Sequence, residues 1–297
     1  METLKLLSGK LVAQSLTEKQ IQLVEDLKEK GIQPKLTVVI VGEDPASHIY
    51  VRKKGQACEK LGIISDTIHL PAETSEIELL NLIKKLNDDS TNNGILVQLP
   101  LPKHINEEKI ILAIKPEKDV DCFHPQNVGL LVAGKPYVLP CTPAGILEIL
   151  KYYDISPTGK HVVVMGRSNI VGKPMANLLV QKKSNANATV TVVHSRTPDI
   201  GSLTKQADIL VAAIGQAEFV KENMVKDGAI VVDVGMNRID ADNEKGYKLV
   251  GDVDFESVKA KISAITPVPG GVGPMTISML MQNTITATAK QTNVNIE

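Results

Sequence analysis

The sequence predicts an α/β protein of two domains, each built on a mostly parallel sheet. Strand-like apolar runs alternate with helical-period segments twice over, before and after a Pro/Gly-rich stretch at 115–143. That rhythm favours parallel strands joined by helices that cover both faces. The chain also has 297 residues, more than one hydrophobic core usually organises.

In order along the chain, apolar residues at helical spacing (Leu11, Val12, Leu16, Leu23, Val24, Leu27) run to Gly31, a good C-terminal stop. "LTVVIVG" then reads as a buried strand. A helix is expected from about Ala46 to Leu61, closed by Gly62, and "ISDTIHL" alternates as a strand should. "SEIELLNLIKKL" returns to helical period, and "GILVQLPLP" is the next strand. The stretch 115–143 has little periodicity and reads as a functional loop with a domain boundary near its end. After the helix "AGILEILKYY", the strands "HVVVMG", "ATVTVVHS", "ADILVAAIG" and "GAIVVDVG" follow, and a last helix starts at the turn "PVPGGVGPMT".

Composition narrows the partners. With 43% hydrophobic and 23% charged residues the chain reads as an ordinary soluble globular protein, and a formal net charge of −1 offers no electrostatic pull on nucleic acid or an anionic membrane. No apolar run is long enough to span a bilayer, and the start "METLKLLSGKLVAQ" lacks a signal-peptide core, so a cytoplasmic location is expected. The three cysteines, Cys58, Cys122 and Cys141, form no C-x-x-C, and neither a disulfide framework nor a metal site is expected.

"VVVMGRSNIVGKP", at 162–174, enters Gly166 from a strand and meets Gly172 where a helix should open. A helix N-terminus there would receive a pyrophosphate on its unpaired N–H groups. The match to G-x-G-x-x-G is imperfect, since Ser168 holds the middle glycine position and the last glycine comes one residue late. A magnesium-binding P-loop is excluded, because Pro174 follows Lys173 where Ser or Thr is needed. An NAD site places an acid about 20 residues on; here "TVTVVHSRTP" ends in His194, Ser195 and Arg196. Guanidinium groups bind a 2′-phosphate that a carboxylate would repel. Arg167, Ser195 and Arg196 therefore point to NADP and a Rossmann-like second domain, the bland alternative being solvated surface arginines.

"HIYVRKKGQACEKLG" sets Tyr50 and Lys54 four apart, on one face of the expected helix. Such a pair is commonly a plain amphipathic feature. Tyr-x-x-x-Lys also occurs in short-chain dehydrogenases, but there the glycine turn precedes the pair, and here the order is reversed.

"YVRKK", "EIELLNLIKKLNDDSTNNGILVQLPLP", "PEKDVD", "CTPAGILEIL", "GRSNIVGKP" and "ITPVPGGVGPMT" together resemble the bifunctional methylenetetrahydrofolate dehydrogenase/methenyltetrahydrofolate cyclohydrolases, over essentially the whole chain. The resemblance implies oxidation of a tetrahydrofolate derivative with NADP, hydrolysis of the product, a homodimer, and a folate cleft between two domains. It implies a catalytic domain at 1–142 completed by the C-terminal helix at 274–297, and an NADP domain at 143–273. By the same resemblance Lys54 is the catalytic lysine, Tyr50 stacks on folate, Gln98 partners the lysine and Asp121 anchors the pterin. Val97, Leu99, Pro269, Gly270 and Gly271 would line the substrate. Thr142, Gly166, Arg167, Ser168, Ile170, Ser195, Met236 and Thr276 would line the cofactor. Two positions depart from the family: Cys122 where glycine is usual, and Met236 where a β-branched residue is common. A dehydrogenase with little cyclohydrolase activity, with Cys122 as the suspect, and a non-catalytic NADP-binding regulator are the competing readings.

Overall fold

The computed structural model describes residues 4–243 and 246–296, with the backbone alone at Ala46. Residues 1–3 and 297, at the ends of the expected domain ranges, lie outside the described residues. In chain order the elements are β1 (Lys5–Leu6), α1 (Gly9–Glu29), β2 (Lys35–Val41), α2 (Pro45–Leu61), β3 (Ile64–Leu70), α3 (Glu76–Asp88), β4 (Gly94–Val97), α4 (Glu107–Ala113), α5 (Pro125–Val132) and α6 (Cys141–Tyr152). They continue with β5 (His161–Met165), α7 (Gly172–Leu179), β6 (Thr189–Val193), α8 (Ile200–Thr204), β7 (Ile209–Ala212), β8 (Ile230–Asp233), β9 (Asn237–Asp240), β10 (Tyr247–Val250), α9 (Phe255–Val258), β11 (Ala264–Ile265) and α10 (Val272–Gln291).

The chain divides into two compact units, one of Gln14–Cys141 with the segment from Ile277 onward, the other of the segment up to Ala13 with Thr142–Thr276. The first holds a parallel sheet in the order β3-β2-β4. Its central strand β2 is buried almost throughout, as a strand covered on both faces must be. Helix α3 presents Leu79 and Ile83, one turn apart, to a core with Val39, Val41, Ile95 and Val97. A reciprocal capping box between Ser75 and Glu78 starts that helix. The C-terminal helix joins this unit: Gln20 Nε2 on α1 donates to the Ser278 carbonyl at 2.9 Å, and Asn283 Nδ2 donates to the carbonyls of Val120 and Leu139, each at 2.7 Å.

The second unit carries a sheet in the order β1-β11-β8-β7-β5-β6, parallel at every pairing. Strand β5 lies between β6 and β7, so the chain goes out to one side and returns to the other, which makes a topological switch point at the carboxyl end of β5. This is the Rossmann-like arrangement. The N-terminal strand β1 pairs with β11 and so belongs here; two residues are too few for periodicity to show which sheet they join.

Other departures from the sequence reading are local. The stretch 115–143 is not wholly irregular: it contains α5, started by the His124 ring nitrogen accepting the Gln126 N–H and by Pro125 in the first turn. Strand β4 stops at Val97 rather than running through "QLPLP", because Pro100 and Pro102 have no N–H for a ladder. Helix α4 and the antiparallel β9–β10 hairpin were not anticipated.

Candidate active site

In the first unit the reactive side chains gather at the carboxyl ends of the parallel strands. Asp44 accepts the Ser47 N–H and Pro45 follows, so α2 starts just after β2 and carries Tyr50 and Lys54 on one face. Gln98 is the first residue past β4, its own N–H donating to the Val39 carbonyl at 2.8 Å. Lys54 is buried, 8% exposed, and its Nζ donates to Gln98 Oε1 at 2.9 Å. The opposite end of the amide is engaged too: Gln98 Nε2 donates to the Leu99 carbonyl at 2.7 Å. That fixes which way the amide faces and leaves its oxygen for the lysine.

The turn carrying Asp121 is anchored from several directions. The Asp119 carboxylate accepts the N–H groups of Phe123 and His124 and Asn127 Nδ2, at 3.2, 2.8 and 2.9 Å. Asn283 holds the Val120 carbonyl. Cys122 is buried with φ 63, its Sγ donating to the Val138 carbonyl at 3.3 Å. Cys122 thus sits in the left-handed region where glycine is favoured. Asp121 itself faces Cys141, whose Sγ lies 3.9 Å from Oδ1. A small pocket beside it is walled by Ile95, Val97, Leu99, Ile110 and Phe123.

Burial sets the electrostatics of these groups. Burial pulls the Lys54 ammonium below the usual lysine range, with the negative charge of Asp121 opposing. Burial pushes Asp121 up to about 6, the positive charge of Lys54 opposing and Asp119 adding to the rise. Desolvation also raises the Tyr50 hydroxyl. An amine whose pKa is lowered by burial and which is oriented by a neutral amide is of the kind that serves as a proton acceptor.

In the second unit, β5 delivers Gly166 with φ 121, and a Cβ there would lie 2.2 Å from the Ala213 carbonyl oxygen. A Cβ on Gly172 would lie 2.2 Å from the Gly166 carbonyl oxygen. The turn therefore closes only with glycine at both positions. Ser168 Oγ accepts the N–H groups of Val171 and Gly172, at 3.1 and 3.4 Å, so it closes the turn where the usual motif has a glycine. Arg167, Ile170, Ser195 and Arg196 are exposed around it. Among the described residues neither arginine pairs with a carboxylate. A glycine-closed turn opening an eight-residue helix, with unneutralised guanidinium groups nearby, fits a dinucleotide bearing an extra phosphate.

Thr142 and Thr276 share a hydroxyl hydrogen bond of 2.9 Å in this unit. Pro269, Gly270 and Gly271 form the turn before α10, with Gly270 accepting the Lys10 N–H at 3.1 Å. Met236 reaches this region, its Cε 3.2 Å from where a Cβ on Gly273 would be. Gly9 was missed from sequence: a Cβ there would lie 1.9 Å from the Gly271 carbonyl oxygen, a close approach that no local pattern announces. The three cysteines are free and buried. Among the described residues no cluster of His, Cys, Asp and Glu could hold a metal ion.

Comparison with known proteins covers both units. The model of the tetrahydrofolate dehydrogenase/cyclohydrolase catalytic domain matches residues 7–121, and that of the tetrahydrofolate dehydrogenase/cyclohydrolase NAD(P)-binding domain matches residues 140–292. The chain is 60% identical over 285 residues to the bifunctional protein FolD of Chloroherpeton thalassium, covering 94% of this chain and 96% of the relative. Among solved structures, the bifunctional FolD dehydrogenase/cyclohydrolase of Campylobacter jejuni is 48% identical with TM-score 0.90, over 97% of this chain and 99% of that one. The Trypanosoma brucei N5,N10-methylenetetrahydrofolate dehydrogenase-cyclohydrolase, solved with NADP cofactor and an inhibitor, is 39% identical with TM-score 0.93, over 99% of this chain and 100% of that one.

Proposed function

The chain belongs to the tetrahydrofolate dehydrogenase/cyclohydrolase family, and from this we infer the activity: it oxidises 5,10-methylenetetrahydrofolate with NADP to the methenyl compound and hydrolyses that to 10-formyltetrahydrofolate. The observation that carries the reading within the site is the buried Lys54, paired with Gln98 and near Asp121.

NADP, when bound, supplies the hydride acceptor. Gly166 and Gly172 would admit its pyrophosphate to the start of α7, while Arg167, Ser195 and Arg196 would take the 2′-phosphate. Ile170, Met236, Thr142 and Thr276 are proposed to line the rest of the cofactor, and Pro269, Gly270 and Gly271 the substrate. Oxidation needs no protein base, because the folate nitrogens stabilise the cation that hydride loss leaves. What Tyr50, Val97 and Leu99 contribute is orientation of the folate, and Asp121 offers the carboxylate that would hold the pterin.

Hydrolysis needs a proton moved. Water adds its oxygen to the methenyl carbon and gives one proton to the neutral Lys54 amine; as the resulting hydroxyl releases its remaining proton and the C=O forms, the C–N5 bond breaks, N5 takes up a proton in exchange, and the formyl group stays on N10. Gln98 accepts an N–H from that amine and so turns its lone pair toward the substrate without adding charge. The test is an absorbance assay with methylenetetrahydrofolate that follows NADP-dependent appearance of the methenyl compound and its decay as separate rates. Appearance without decay would favour the monofunctional dehydrogenase, and neither signal the non-catalytic binder.

The working form is proposed to be a homodimer in the cytoplasm. Strand β3 is an edge strand with Ile64 47% exposed, and Ile49 on neighbouring α2 is 45% exposed. Uncovered edges of this kind favour pairing with a second copy. Among the described residues no helix is long and apolar enough to cross a membrane. Light scattering on the purified protein tests the dimer.

A further inference from the structure

Two buried acids of the second unit take no part in the chemistry above. Asp252 has no exposed surface and Asp233 is 3% exposed. Asp252 Oδ2 accepts the N–H groups of Ile214 and Gly215 at 2.7 and 3.0 Å, and its Oδ1 accepts the Gln216 N–H and Asn237 Nδ2, each at 2.9 Å. Asp233 Oδ1 accepts the N–H groups of Gly235 and Asp252 at 3.0 and 2.9 Å, and its Oδ2 accepts that of Val253 at 3.0 Å. The approach is close enough to need glycine: a Cβ on Gly251 would lie 1.7 Å from Asp233 Oδ2, and one on Gly235 2.3 Å from Asp252 Oδ1.

Donors from the loop after β7 and from the first residue of β9 thus converge on one carboxylate, and that carboxylate's own backbone is held by a second. Buried carboxylates are costly unless every lone pair is used, and when fully used they hold their donors in a single arrangement. An ordinary turn would close with one or two such bonds. Seven contacts across three chain segments fix the loops far more tightly.

The position of these loops says what the arrangement serves. They leave the carboxyl ends of β7 and β8, whereas Arg167 and Ser195 follow β5 and β6. A dinucleotide lying across the switch point with its adenosine phosphate on the β6 side places its nicotinamide half on the β7 and β8 side. Ala213, just before the residues that Asp252 holds, backs Gly166 of the nucleotide turn. Met236 stands between Gly235 and Asn237, both tied to the two acids.

We propose that Asp252, backed by Asp233, is a positioning residue for the nicotinamide half of NADP, acting through the loops 213–216 and 235–237. The proposal rests on the reading of the Gly166–Gly172 turn as the NADP site.

The experiment compares Asp252→Asn with wild type, using full-length protein and three readouts: KM and kcat of the dehydrogenase with NADP, the dissociation constant of adenosine 2′,5′-bisphosphate, and the cyclohydrolase rate without NADP. Asparagine keeps the size but faces the N–H donors with an amide in place of two acceptor oxygens. KM for NADP should rise about 10- to 100-fold, the equivalent of one lost bond to a charged group. The bisphosphate, which carries only the adenosine half, should bind within about threefold of wild type, and cyclohydrolase should stay within about twofold, as expected for independent sites. Equal weakening of NADP and the bisphosphate, loss of cyclohydrolase, or an unchanged KM would each overturn the proposal. If Asp252→Asn does not fold, Asn237→Ala removes one donor from the same carboxylate and should give the same split at smaller size; no split there overturns it equally. Wild-type protein that binds neither NADP nor the bisphosphate would remove the premise, and the proposal with it.

Discussion

Lys54 Nζ donates to Gln98 Oε1 at 2.9 Å while Gln98 Nε2 is held by the Leu99 carbonyl at 2.7 Å, so the lysine is oriented by a neutral group that cannot turn away. An acid in place of Gln98 would pair with the ammonium and keep it charged. An amide orients the amine and leaves burial free to lower its pKa.

Lys54→Gln keeps length and polarity but removes the titratable amine. Cyclohydrolase activity should fall about 10²- to 10⁴-fold, the usual worth of general acid-base help, with a much smaller loss of dehydrogenase activity. Stopped-flow absorbance should then show methenyltetrahydrofolate accumulating. Equal losses in both reactions would mean that Lys54 only positions the substrate.

The pH dependence follows from the two shifted groups. With the neutral Lys54 amine as the proposed base, the hydrolysis rate should climb as pH rises through the lowered pKa of Lys54. The Asp121 carboxylate opposes that lowering. In Asp121→Asn the opposition is gone, Lys54 loses its proton more readily, and the rising limb of kcat for cyclohydrolase should move to lower pH. A limb that stays in place or moves to higher pH would show that another group sets it.

Cys122 holds φ 63 while fully enclosed. Comparing Cys122→Gly with Cys122→Ala separates backbone strain from the lost thiol, since both variants remove it. The glycine variant should be more stable by about 1 kcal/mol in urea unfolding, the left-handed penalty less glycine's entropy cost. Folate affinity should be unchanged or better in Cys122→Gly; a large loss would mean that the turn carrying Asp121 has adapted to the thiol.

Arg167→Ala should weaken NADP by about 1.5 to 3 kcal/mol, the range for hydrogen bonds to a charged group, and leave NAD binding nearly as it was. Isothermal titration with each nucleotide measures the difference. Comparable use of NAD and NADP by wild type would remove the phosphate assignment.

Asp233 also leaves a mark on stability. Burial pushes it up to about 7 from 3.8, with the N–H groups of Asp252, Val253 and Gly235 opposing and the charge of Asp252 adding to the rise. Between about pH 4 and pH 7 the folded protein holds a proton that the unfolded chain has released, so this group's contribution to stability falls as pH rises through that window and is flat above it. Asp233→Asn should flatten the corresponding part of a plot of unfolding midpoint against pH. An unchanged slope would show that the group does not titrate there.

Much of this was legible in the sequence because it depends on local spacing. A helix that starts at Asp44 and stops at Gly62 must carry Tyr50 and Lys54 on one face, and a strand of β-branched residues ending in Gly166 announces a glycine-closed turn into a helix. The missing acid after "TVTVV" was equally plain. Long family motifs extended this to Gln98 and Asp121, which spacing alone would have passed over as a strand-end amide and a loop acid. What the tertiary structure decided is different in kind. That Lys54 meets the oxygen of Gln98, 44 positions away, that Asp121 lies among apolar walls, and that Asp252 gathers N–H groups from residues about 36 positions earlier are outcomes of chain packing. Sequence patterns report which face of an element is apolar, because burial repeats with the period of the backbone. They do not report which polar groups meet across elements, because those pairings depend on how separate strands and loops close together, and it is the low dielectric of that closed surface that gives Lys54 and Asp121 their altered proton affinities.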